Sequence, residues 1–97
     1  MSDLNQYEIA VLYHPDLEVD LSKAEDRVKK IVTDNGGKVA ATDNWGKRKL
    51  AYEIAGQSEG LYSVVTFTAE PATLTEVERV LRITDGVMRF QTVRLKD

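Results

Sequence analysis

The 97-residue sequence has no cysteine, which excludes disulfide scaffolds, thiolate metal centres and cysteine nucleophiles together. Its one histidine, His14, lies beside Pro15 and reads as an inert loop residue rather than a general base. Glu25 and Asp26 are adjacent in sequence, so they point in different directions and make no metal clamp. Catalysis is therefore not expected, and no cofactor or metal is called for. No apolar run approaches the roughly 20 residues that span a bilayer. Met1 to Gln6 lacks a basic region followed by an apolar core, so no secretory signal is expected. Internal repeats, low-complexity runs and linkers are missing too, which leaves 1–97 as one domain, expected to be cytoplasmic, with no membrane partner. An excess of positive charge is also lacking: the formal net charge is −3, whereas a strongly basic domain is the commoner footprint of a nucleic-acid binder.

Distribution softens that last objection. From Met1 to Asp26 seven acids oppose Lys23 alone, while from Arg79 to Asp97 five cations (Arg79, Arg82, Arg89, Arg94 and Lys96) oppose Asp85 and Asp97. Local charge shapes a binding field more than the total does. With 42% hydrophobic and 30% charged residues the composition is otherwise that of an ordinary globular domain, and only the ends look loose.

Tyr7 to Tyr13 alternates with little polar surface on either side, as a central strand does, and His14-Pro15-Asp16 breaks it. Leu21, Ala24, Val28, Ile31 and Val32 recur at helical spacing. Asp20, or Ser22 in a capping box with Glu25, starts that helix, and Asn35-Gly36-Gly37 ends it. Lys38 to Asn44 is extended and bends at Trp45-Gly46 into a second extended run, as one bent strand or two short ones. Ala55 to Gly60 reads as a turn and Leu61 to Thr68 as the returning strand. Pro71 opens a second helix, with Thr73 and Glu76 as its capping box; Asp85-Gly86 turns the chain into a last strand, Val87 to Leu95. The order β-α-β-β-α-β predicts an α+β, ferredoxin-like split βαβ fold: a four-stranded antiparallel sheet, order 4-1-3-2, with both helices on one face.

The run Gly46-Lys47-Arg48-Lys49-Leu50-Ala51-Tyr52-Glu53-Ile54 carries the strongest functional signal, because it sets three adjacent cations on a strand just past a glycine bend. Leu50, Tyr52 and Ile54 share one face, and their parity assigns Tyr52 to the core. Trp45, beside the bend, stays open between core packing and an exposed role. Both rings flank the cations and are the candidates for stacking on a base or packing on a partner. Arg89 and Arg94 have opposite parity and so point to opposite sheet faces.

The same run, as Gly-x-Arg-x-Leu-Ala-Tyr-x-Ile, resembles the signature strand of the bacterial small-subunit ribosomal protein numbered six. Tyr7-Glu8-Ile9, Asn35-Gly36-Gly37, Gly60-Leu61-Tyr62 and Leu81-Arg82-Ile83-x-Asp85 extend the resemblance over nearly the whole chain. It implies a noncatalytic protein of the ribosome that binds small-subunit ribosomal RNA and pairs with small-subunit ribosomal protein eighteen. DNA is not an expected partner. Lys47, Arg48, Lys49, Arg89 and Arg94 are then the candidate RNA contacts, with Trp45 and Tyr52 touching RNA or the partner. That family often carries a longer C-terminal extension; the sequence stops at Lys96-Asp97, which puts a function for such an extension in doubt.

Two other readings compete. An RNA-recognition motif shares this topology, but its third strand requires basic-Gly-aromatic-Gly/Ala-aromatic-Val-x-aromatic. Glu59-Gly60-Leu61-Tyr62-Ser63-Val64-Val65-Thr66 misses every aromatic position, so recognition through shape and phosphate is expected instead of base stacking on the sheet. A ferredoxin-like metabolite-binding or regulatory domain without catalysis is the alternative from another class.

Overall fold

The sheet is assembled on β1 (Asn5–Tyr13), which pairs antiparallel with β3 (Gln57–Ala69) on one side and β4 (Val87–Leu95) on the other. β2 (Lys38–Ile54) pairs antiparallel with β3 and forms the opposite edge, so the order is β2-β3-β1-β4. This is the expected 4-1-3-2 order read from the other edge. Helices α1 (Leu21–Asp34) and α2 (Pro71–Arg82) supply the two crossovers of a ferredoxin-like fold. The computed structural model describes residues 4–95; the loose ends expected at the termini fall outside the described residues.

Period-two alternation decides which side is buried. Tyr7, Ile9, Val11 and Tyr13 of β1, with Leu61, Val65, Phe67 and Ala69 of β3, turn to the helices. They pack there against Leu21, Val28 and Val32 of α1 and Val77 and Leu81 of α2. Each such Val, Leu, Ile or Phe side chain contributes about 1.5–3 kcal/mol on full burial. The opposite, open face carries no helix, yet Leu12 is 0% exposed there.

Both expected capping boxes are absent. Asp20 holds the N-cap position of α1 without a side-chain capping bond, and Glu25 is buried, accepting a hydrogen bond from the Ser63 hydroxyl of β3. The reason is helical register: Leu21, Glu25, Val28 and Val32 lie on one stripe, and that stripe faces the sheet. Thr73 lies inside α2 rather than at its cap, because the helix already begins at Pro71. Its Oγ1 donates to the Asn35 carbonyl at 2.8 Å, tying α2 to the end of α1, while Glu76 pairs with Arg79 instead. The expected six-residue turn is also shorter. Only Ala55 and Gly56 turn, both at positive φ (51° and 79°), and Gln57 to Gly60 belong to β3. β2 is one strand, bent by register shifts.

Candidate nucleic-acid interface

Residue Gly46 builds the site. Asn44 stands opposite Ser63 and Gly46 opposite Tyr62, so Trp45 is an extra residue between two paired positions, a β-bulge. Gly46 takes φ +76°, where a side chain would be strained, and its N–H donates to Asn44 Oδ1 at 2.7 Å. Extruded this way, Trp45 is 51% exposed, resolving the question the sequence left open in favour of the surface. It meets Tyr62 at 6.1 Å between ring centroids, tilted by 45°. Arg48 Nε donates to the Trp45 carbonyl at 3.0 Å. Trp45, Arg48 and Tyr62 together line an open niche of about 520 Å³. Tyr62 is not among the candidate site residues named from the sequence; the bulge at Trp45-Gly46 is what brings it to the niche.

The three cations stay exposed but do not share a face. Lys47 stands opposite the core residue Leu61, and its Nζ lies 3.7 Å from Glu18 Oε2 on the helix side of the sheet. Lys49 stands opposite Glu59, and Arg48 opposite Gly60. Arg48 therefore turns to the open face and its neighbours to the other. A strand's alternation imposes this on any consecutive triplet.

Tyr52 is 64% exposed, against the expectation that it packs in the core. Leu61 is the last β3 residue paired with β1, so the hairpin beyond it runs past that pairing as an arm. Alternation specifies a face, but here there is nothing on either face to bury it. The arm instead leans toward β4: Arg89 Nη1 donates to the Tyr52 hydroxyl at 3.1 Å. At the foot of the arm Gly60 lies so close to Leu12 that an added Cβ would be 2.4 Å from its Cδ1. Arg89 stands opposite Leu12, which stands opposite Tyr62, which stands opposite Gly46. One transverse row thus joins Arg89 to the bulge across the open face. Arg94 is not in it. It stands opposite Tyr7 at the far end of the sheet, on the helix side, and its Nη2 donates to Asn5 Oδ1 at 2.9 Å. The two arginines do occupy opposite faces, as their parity requires.

The described helices include none long and apolar enough to cross a membrane. A family model described as ribosomal protein S6 matches residues 6–94. The small ribosomal subunit protein bS6 of Symbiobacterium thermophilum is 48% identical over 92 residues, covering 94% of this chain and 97% of the relative. That of Bifidobacterium longum is 44% identical over 95 residues, covering 97% and 98%. The crystal structure of 30S ribosomal protein S6 from Thermotoga maritima superposes with a TM-score of 0.89 at 34% identity, covering 95% of this chain and 88% of that one. The C-terminal domain of the MgtC protein from Mycobacterium tuberculosis superposes at 0.68 with 14% identity, which shows only that the fold is shared. With the family model and the relatives spanning nearly all of its length, the chain belongs to the ribosomal protein S6 family, noncatalytic components of the small ribosomal subunit.

Proposed function

We propose that the chain binds small-subunit ribosomal RNA jointly with small-subunit ribosomal protein eighteen, holding an RNA fold in place during subunit assembly. The observation that carries this reading is the exposed run Lys47-Arg48-Lys49 at the root of a protruding hairpin arm. Its charges face both sides of the strand, which suits an RNA backbone wrapping the arm rather than lying flat on the sheet. Arg89 adds a cation on the open face. Arg94, distant and engaged with Asn5, is the weakest of the five candidate contacts. The open face, bearing exposed Tyr52 and Val93, offers the partner an apolar surface that no helix covers.

Replacing Lys47, Arg48 and Lys49 together by alanine should weaken binding to a ribosomal RNA fragment while the fold is retained. The salt series is the readout. Each lost phosphate contact flattens the slope of log affinity against log salt by about 0.7 to 0.9, so mutant and parent converge at high salt. Equal slopes would remove these residues from the interface.

A further inference from the structure

We propose that Trp45, Tyr62 and Arg48 form a slot for one unpaired nucleobase of an RNA strand, set beside the cations that hold its backbone. This rests on the RNA reading above and specifies what part of the RNA is gripped. Three features of the niche carry it. The bulge turns Trp45 outward, and the Gly46 N–H bond to Asn44 Oδ1 braces the backbone that presents the indole. The 45° tilt against Tyr62 props the indole on one side without stacking flat against it, leaving a π-face for a planar ring. Arg48 uses Nε on the Trp45 carbonyl, so its guanidinium is fixed at the niche with its terminal N–H groups left to donate to a base edge or a phosphate. Aromatic and guanidinium planes are the two surfaces on which unstacked RNA bases settle.

Charge selects RNA over a protein as the occupant. A basic partner protein entering this niche would meet like charge at Arg48, which lines it, with Lys47 and Lys49 on the other face of the same strand, whereas an RNA strand brings its own phosphates to these cations. The site is distinct from the aromatic positions of an RNA-recognition motif, which this sheet lacks. It arises from one inserted residue on the edge strand.

Trp45 is the only tryptophan, so its emission reports directly on the slot. At low salt the chain would be titrated with a short oligoadenylate and with an abasic ribose-phosphate oligomer of equal length and charge. Oligoadenylate should quench Trp45 and bind roughly five- to a hundredfold more tightly than the abasic oligomer, the range expected for one stacked base. Trp45→Leu should erase that difference, measured by anisotropy of labelled oligomer, and Trp45→Phe should keep most of it. Neither should change the salt slope, because no phosphate contact is lost; circular dichroism checks that both variants fold. Binding of both oligomers with equal affinity and unchanged emission would overturn the slot and leave phosphate contact standing. Failure of both oligomers to bind would overturn the slot and the phosphate contact together. A blue shift of Trp45 on adding protein eighteen, with no quenching by oligoadenylate in its absence, would assign the niche to the protein interface instead.

Discussion

Tyr13 ends β1 with its ring in the core, and burial holds its phenol well above the ordinary value of 10.0, with the nearby Glu25 carboxylate adding to the shift. The unfolded chain ionises this group near its ordinary value while the folded chain keeps the proton. Stability from Tyr13 is therefore fully present below pH 10 and declines as pH rises beyond it, by about 1.4 kcal/mol per pH unit. Urea unfolding of the parent and of Tyr13→Phe on either side of pH 10 checks this: the parent should lose stability more steeply with pH than the variant. Parallel losses would show that other groups carry the alkaline sensitivity. Glu25 beside it marks the limit of reading residues by type. Ser22-Lys23-Ala24-Glu25 has the form of a cap, but the stripe that buries Leu21 and Val28 also carries Glu25 inward, where Ser63 supplies a donor. A buried carboxylate without such a partner would be strongly destabilising.

Among the elements, the β2–β3 hairpin is the one whose conformation the proposed function depends on. It turns through Ala55 and Gly56, both left-handed, joining Ile54 to the opposing Gln57. Two-residue hairpin turns with both central residues at positive φ favour Asn-Gly, since alanine is strained there. Ala55→Asn should therefore stabilise the arm by roughly 0.5–1 kcal/mol. Native-state hydrogen exchange of the amides of residues 57–60 would show it as slower exchange, with the sheet amides unchanged. Unchanged or faster exchange in the arm would mean that the turn strain is relieved by other means. At the other end of the hairpin, Gly46 gives the bulge that turns Trp45 outward, so one edge strand carries both a fixed aromatic and a projecting, charged arm.

At the scale of the molecule, a net charge of −3 opposes association with RNA even though the hairpin is cationic. A basic partner would offset that repulsion, and the acids concentrated before Asp26 would steer it in. RNA affinity should then rise when protein eighteen is present, and by linkage RNA must raise affinity for protein eighteen by the same factor. Titrating a ribosomal RNA fragment with this chain, with protein eighteen and with both measures the coupling. Independent binding would remove the cooperative part of the proposed function but not RNA contact itself.

Element order, strand order and the face on which the helices sit were all legible in the sequence. They follow from local periodicity and from the handedness of crossovers, which need no knowledge of particular contacts. The bend at Gly46 was legible for the same reason, since a glycine between two extended runs has few other uses. Side-chain fate was less accessible wherever it depended on what lies behind an element. Tyr52 alternates like a core residue, but β1 ends at Tyr13 and leaves it nothing to pack on, so it reaches Arg89 instead. Lys47, Arg48 and Lys49 are contiguous in the chain yet divided between faces, and Trp45, Tyr62 and Arg48 come together only through pairing register. Periodicity is a property of one strand, whereas burial and a shared niche belong to the neighbours it meets, and those were set by tertiary pairing.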